Sequence, residues 1–287
     1  GAFNMHSVSH ASGMGNTSDG NILGTTMSIS GYLGSAQVTV TTDTTHVNSS
    51  VKNLAANINA VKTSTGVEAT AITKARLHTV TDTGVIKFNL AGNHDTTGST
   101  AVTRYAVTAT LAATTDLDPL ADAINKHAAN TGVTAKLGST AAELILTHQT
   151  GETIELTNIH VGGVTSKNLS LTALDKFGND TTAADTTLNR IANTSASTFT
   201  TTNGANKRNA YVLGTVTLSS IKNFTVAGDA AAVGRGYFEN AGTGTGANND
   251  GYTGQTTAGG TAKLSSVASI SVADQEHATD AIAVLDA

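Results

Sequence analysis

Two stretches decide the fold of this chain. One reads Leu54-Ala-Ala-Asn-Ile58-Asn59-Ala-Val-Lys-Thr-Ser-Thr65-Gly66-Val67-Glu-Ala69. The other reads Leu120-Ala-Asp-Ala-Ile124-Asn125-Lys-His-Ala-Ala-Asn-Thr131-Gly132-Val133-Thr-Ala135. Leu54 and Leu120, Ile58 and Ile124, Asn59 and Asn125, Gly66 and Gly132, and Val67 and Val133 each lie 66 positions apart, without a gap. Such an internal repeat sets the architecture before any single residue does. In the second copy Asp118 is the expected N-cap, and Pro119 occupies a first helical position that needs no N–H. Leu117, Leu120, Ile124 and Ala128 then trace one apolar face. Gly132 closes the helix, because left-handed geometry after the last turn favours glycine. In the first copy Ser49 or Ser50 caps, Val51, Leu54 and Ile58 face inward, and Gly66 closes.

Strands flank both helices. Val133-Thr-Ala135-Lys-Leu137 alternates with the period of a half-buried strand. Leu144–Leu146 and Ile154–Leu156 read as two more, with Gln149-Thr-Gly151 as a hairpin turn between them. Gln37–Val40 and Tyr105–Leu111 precede the helices. Each copy is thus expected to be a β-α-β-β unit of roughly 50–70 residues, a size at which a core is small but feasible. Beyond Ala173 the helical pattern fades. Tyr211–Leu218 and Ile221–Val226 read as a strand pair joined by Ser219-Ser220, Thr187–Ile191 as a short helix or strand, and Ala241–Thr261 as loop. At the far end Ala278, Ala281, Ile282 and Leu285 form one helical stripe behind a cap-like Ser271 and Asp274. That helix meets no Gly, Asn or Pro before Ala287, so the sequence is expected to be cut from a longer chain.

Composition narrows the function. Of 287 residues, 39% are hydrophobic, enough for a sizeable core, but only 13% are charged and 4% aromatic, with no Cys, no Trp and one Pro. Absence of Cys excludes a disulfide scaffold and a zinc ribbon. The net charge of −5 comes without any Lys/Arg cluster, which argues against nucleic-acid binding. No apolar run reaches the roughly 20 residues of a membrane helix. No charged segment followed by an apolar stretch opens the chain, so no secretory signal is read.

The repeated element resembles the flagellin IN motif, named for its Ile-Asn pair, here Ile58-Asn59 and Ile124-Asn125, each followed by Thr-Gly-Val. In that family the β-α-β-β unit sits in the variable outer part of bacterial flagellins. Val267–Asp274 and Ala281–Ala287 look like the point where a flagellin chain re-enters its inner helical domain, and Gly1-Ala2-Phe3 like the point where it leaves. The resemblance implies structural roles for Leu54, Ile58, Asn59, Gly66, Val67, Leu120, Ile124, Asn125, Gly132 and Val133. It also implies other flagellin subunits as partners through inner domains absent from this chain, O-linked glycans on Ser/Thr, and an extracellular place on the bacterial flagellum. About 165 to 263 match nothing in the family pattern.

Reactive constellations are missing. There is no His-Glu-x-x-His, no Gly-x-Ser-x-Gly and no Cys–His pairing. The nine histidines (His6, His10, His46, His78, His94, His127, His148, His160, His277) are scattered and read as surface residues. Asp116, Asp118 and Asp122 gather at a helix start, where capping and the helix dipole account for the first two, and they lack calcium-loop spacing. Gly242-Thr-Gly244-Thr-Gly246 has neither the leading strand nor the Lys of a phosphate loop. Asn-x-Ser/Thr sequons start at Asn16, Asn48, Asn168, Asn179, Asn193 and Asn223, as chance allows in so Asn- and Thr-rich a chain.

The reading is an α+β protein: small β-α-β-β units plus a β-rich portion, in a discontinuous inner outer-domain with an inserted distal domain. Its segments are a proximal stub at 1–34, a first unit at 35–84, a second at 85–160, a variable region at 161–262 and a return segment at 263–287, with the two ends side by side. Expected are a non-enzymatic structural role on the filament surface, no cofactor, no metal, no nucleic acid or membrane partner, and a monomer in dilute solution. Alternatives are an adhesive or carbohydrate-binding module of a cell-surface protein, for which the lack of Trp is unfavourable, and a hook-associated junction protein of the same family.

Overall fold

A computed structural model describes residues 4–11, 14–15, 26–39, 50–93, 102–161, 169–180, 210–228, 260–261 and 263–266. In chain order the elements are β1 (Asn4–Ala11), β2 (Met14–Gly15), β3 (Thr26–Gly31), β4 (Gly34–Thr39), α1 (Val51–Ala60), α2 (Lys62–Thr65), β5 (Glu68–His78), β6 (Gly84–Ala91) and β7 (Tyr105–Leu111). They continue with α3 (Asp118–Asn125), α4 (Ala128–Thr131), β8 (Val133–Leu137), β9 (Leu144–His148), β10 (Ile154–Val161), β11 (Ser170–Leu174), β12 (Ala210–Val212), β13 (Thr215–Ser220), β14 (Thr225–Gly228), β15 (Gly260–Thr261) and β16 (Lys263–Ser266). The architecture is β-rich with few helices. The expected short helix or strand at Thr187–Ile191, the C-terminal helical stripe and the glycine run at 242–246 lie outside the described residues.

The helices form where the apolar period and caps require. Ser50 accepts a hydrogen bond from the Asn53 N–H, which settles the cap of α1 on Ser50, and Val51, Leu54 and Ile58 are buried. The cap of α3 differs from expectation. Leu117, not Asp118, is the N-cap residue, and Asp118 is the first helical residue. The carboxylate of Asp116 instead accepts from the Asp118 N–H, so the orphan donor of the first helical residue is met from two residues earlier. Leu117 is buried against the core, which explains why an apolar residue holds that position.

The ladders among the described residues are antiparallel, and they build three sheets. A seven-stranded sheet runs β16-β1-β13-β5-β9-β8, with β11 also on β5; a five-stranded sheet runs β2-β12-β10-β6-β7; a four-stranded sheet runs β15-β14-β3-β4. β5 is the backbone of the molecule. Its first half, Glu68–Ile72, pairs with β13, and its second half pairs with β9 on one side and β11 on the other. Two hairpins, β3–β4 and β6–β7, cap the two helices from the opposite sheets. The hairpin β3–β4 straddles the 34/35 boundary drawn from sequence.

Two expected hairpins are corrected. Gln149–Gly151 does not fold β9 back on β10, because β9 lies in the seven-stranded sheet and β10 in the five-stranded one. The turn carries the chain across the sandwich. Likewise β13 and β14 belong to different sheets, and Ser219-Ser220 ends β13 rather than turning a hairpin. In both places the alternation of apolar residues is that of a strand, but it does not say which sheet receives the strand.

Each helix has its own core. Around α1 lie Met27, Ile29 and Val38 from the β3–β4 hairpin, Val67 and Ala69, and, from far along the chain, Val216, Leu218, Phe224 and Val226. Around α3 lie Phe88, Val107, Leu111, Leu144, Leu146, Ile154 and Leu156 with their neighbours. The first unit therefore completes its core with residues from the region that read as variable. The two units meet where the Lys52 N–H donates to the Gly151 carbonyl at 3.1 Å and the Lys52 ammonium pairs with Glu152 at 3.0 Å. At one end of the seven-stranded sheet β1 and β16 pair, Asn4 opposite Ser266, so the first and last described strands run side by side.

Candidate functional site

The repeated residues build the same local device twice. After α1 the Asn59 side chain turns onto Ala69 at the start of β5. Its Nδ2 donates to the Ala69 carbonyl at 2.9 Å, and its Oδ1 accepts from the Ala69 N–H at 2.8 Å. After α3 Asn125 does the same to Ala135 of β8, donating and accepting at 2.8 Å each. An amide side chain carries one carbonyl and one NH2, so it can present to a strand what another strand's peptide would present. The clip therefore satisfies a strand-edge N–H and C=O that no neighbouring strand meets. Only Asn and Gln have that donor–acceptor pair, and the shorter Asn holds it from the last helical turn.

The Thr-Gly-Val segment repeats as faithfully. Thr65 Oγ1 donates to the Val61 carbonyl at 3.0 Å and accepts from the Val67 N–H at 3.2 Å. Thr131 Oγ1 donates to the His127 carbonyl at 2.9 Å and accepts from the Val133 N–H at 3.1 Å. Gly66 and Gly132 between them take φ of 73° and 70°, the left-handed stop expected of glycine after a helix. Val67, just before β5, and Val133, the first residue of β8, are buried. Leu54, Ile58, Leu120 and Ile124 are all buried. The ten residues singled out in the sequence thus fall into two sets, one at each helix-to-strand joint. They present hydrogen bonds and apolar contacts rather than reactive groups.

Other residues of the device escape a gap-free reading of the repeat. Gly31 and Gly92 each follow or end the first strand of a hairpin. A Cβ on Gly31 would collide with the Thr65 carbonyl oxygen, and one on Gly92 with the Thr131 carbonyl oxygen. These two glycines lie 61 positions apart rather than 66, so the repeat alignment does not pair them. Ser220 and His148 are a second such couple. Ser220 Oγ donates to the Gly66 carbonyl at 2.7 Å, and the His148 ring backs Gly132. Their ladder partners set the equivalence: His148 lies opposite Val133, and Ser219 lies opposite Glu68, one step from Val67.

His148 corrects the reading of all histidines as surface residues: it is 7% exposed. Burial pushes its imidazole below the ordinary value; Glu152 and a backbone hydrogen bond with Thr131 oppose the shift, and Lys52 adds to it. Among the described residues Lys74 and Glu155 are buried too: the Lys74 ammonium donates to the Lys176 carbonyl at 2.8 Å, and Glu155 pairs with Arg104. Among the described residues no three His, Asp or Glu side chains come together in a group that could hold a metal ion. No helix among them is long and apolar enough to cross a membrane.

The span from β6 through α3 to the turn after β9 matches a known family. Residues 87–150 fit the family model of the flagellin hook IN motif. The chain carries a flagellin hook IN motif. The match runs over the β6–β7 hairpin, the helix, the Asn125 clip and the β8–β9 hairpin, under a quarter of the chain. It supports a flagellin-type domain with a structural role. No curated protein matches the chain.

Proposed function

We propose that this chain is the surface-exposed outer region of a bacterial flagellar filament subunit, extracellular and without catalytic activity. The observation that carries the reading is the IN motif at 87–150 combined with first and last described strands that lie side by side, Asn4 opposite Ser266. Adjacent first and last described strands suit a domain inserted into a longer chain. The Asn59 hydrogen bonds, which match those of Asn125, support reading the α1–β5 joint as a second copy of the motif. The two units are then β3–β4–α1–β5, which takes in the β3–β4 hairpin, and β6–β7–α3–β8–β9, each with its own core. Partners are other subunits, reached through inner domains outside this chain. Hydroxyl-rich outward faces give filament surface chemistry, antigenic surface and acceptors for O-linked glycans. Alone and dilute, the chain is a monomer.

The adhesive alternative is less supported. Tyr32 is the one aromatic among the exposed large apolar side chains of the described residues, whereas a sugar platform needs several. The hook-associated alternative shares the motif and differs in place. Immunogold labelling of intact flagella with antibody against this chain separates the readings. Label along the whole filament is expected. A band at the hook–filament junction supports the junction protein, and label on the cell body but not on flagella overturns the flagellar reading.

A further inference from the structure

Sheet edges attract strands from other molecules unless something blocks them, and the described edges differ sharply in this respect. β2 and β15 are two residues long, and β16 is four residues with Lys263 in it. β8 carries Lys136 and has the Asn125 clip on Ala135. β4 opens on Gly34, and Asn57 Nδ2 reaches the Thr39 carbonyl at 3.5 Å. β11, paired only with β5 among the described strands, is five residues long and wholly buried, and β7 has none of these devices. Its seven residues, Tyr-Ala-Val-Thr-Ala-Thr-Leu, include no charge, Pro or Gly, and its pairing with β6 runs from Leu111 to Tyr105 without a bulge. It ends the five-stranded sheet, and Ala106, Thr108 and Thr110 are exposed on its outer face.

We propose that β7 pairs antiparallel with β7 of a second copy of this chain, about a two-fold axis through Thr108, so that two five-stranded sheets join into one. The second copy is the occupant because the strand is complementary to itself in that register. Thr108 faces Thr108, and Ala106 faces Thr110, pairs of small or β-branched side chains that suit a solvated sheet face. The charges near the edge are Lys87, opposite Thr108 on β6, and Arg104 just before Tyr105, whose guanidinium is paired with Glu155. The two Lys87 side chains of such a pair would stand three strand spacings apart, about 14 Å, farther than the screening length of physiological salt. Seven residues bury little surface, so the pair is weak in dilute solution and fills when copies are held at millimolar local concentration. On the filament reading, to which this contact adds a lateral partner, neighbouring subunits supply that concentration; the solution test below does not depend on that reading.

The chain has no Cys, so single thiols report the register directly. Ala106→Cys, Thr108→Cys and Thr110→Cys all replace exposed side chains, and Thr134→Cys on guarded β8 is the control. Under mild oxidation at millimolar chain, Thr108→Cys should form disulfide dimers at least ten times faster than Thr134→Cys. A mixture of Ala106→Cys and Thr110→Cys should give the mixed dimer. Either alone should stay monomeric, because like positions then lie about 14 Å apart, beyond disulfide reach. Rates equal to the control overturn the proposal, as do homodimers at 106 and 110, which signify a parallel pair. Sedimentation of the unmodified chain at millimolar concentration gives a thiol-free check. Thr108→Lys should abolish its self-association, and self-association unchanged by that substitution overturns the pairing.

Discussion

Asn59 and Asn125 do the work of a missing strand. Each satisfies one N–H and one C=O at a strand start, a net contribution of about 1 kcal/mol per hydrogen bond. Asn125→Ala should therefore cost about 1–2 kcal/mol, with water partly replacing the amide because the position is solvent-accessible. Asn125→Asp separates geometry from chemistry. Its carboxylate still accepts from the Ala135 N–H but meets the Ala135 carbonyl with no donor, so it should destabilise at least as much as alanine at neutral pH. Urea denaturation followed by circular dichroism measures both, and Asn59→Ala should lose a similar amount. Midpoints unchanged in all three variants would show that the clips are incidental. The Ile-Asn pairs and Thr-Gly-Val were legible in the sequence because local residues make these bonds, ten positions from Asn to Ala. Ser220, at the equivalent place to His148, was not legible. It reaches Gly66 across 154 positions, and nothing in its local pattern marks it.

At the scale of elements, a helix-to-strand joint backed by a buried imidazole differs from one backed by a hydroxyl. His148 titrates and Ser220 does not. Burial holds the folded-state imidazole below its ordinary value, so the unfolded chain binds the proton more readily. Stability from this group is then present above the ordinary histidine range of about 6.5 and is lost as pH falls through it. The urea midpoint of the α3–β8–β9 region should drop between pH 7.5 and pH 5, and His148→Gln should flatten the part of that drop which His148 causes. Glu152 and Lys52 are the charged neighbours that modulate it, so the same titration in Glu152→Gln should show a steeper loss on the acid side. A pH profile identical in the parent and His148→Gln would remove His148 from the account. Element types were readable here: Tyr105–Leu111 and Val133–Leu137 fall where alternation placed them. Sheet membership was not, because Gln149–Gly151 carries turn chemistry whether the chain folds back or crosses to another sheet.

At the scale of the molecule, the two repeats look separable in sequence but share a strand. β5 packs Ala69 into the core around α1 and Ala75 and Leu77 into the core around α3. Its eleven residues, about 37 Å long, hold β13 along the first half and β9 along the second. The Lys52–Gly151 hydrogen bond and the Lys52–Glu152 pair fix α1 to the turn after β9. Loss of one core should therefore release the other. Phe224→Ala removes one of the largest fully buried side chains in the first core and should cost about 3–5 kcal/mol there. If β5 couples the units, hydrogen exchange should rise by the same factor in β8–β9 as in α1, although Phe224 lies outside the second cluster. If the repeats are autonomous, exchange will rise around α1 alone and the β8–β9 amides will keep their parent rates. The distinction bears on how such a domain tolerates variation. Coupled units confine drift in 210–228, which read as variable, to substitutions that keep Val216, Leu218, Phe224 and Val226 apolar, because those residues complete a core whose helix lies more than 150 positions earlier in the chain.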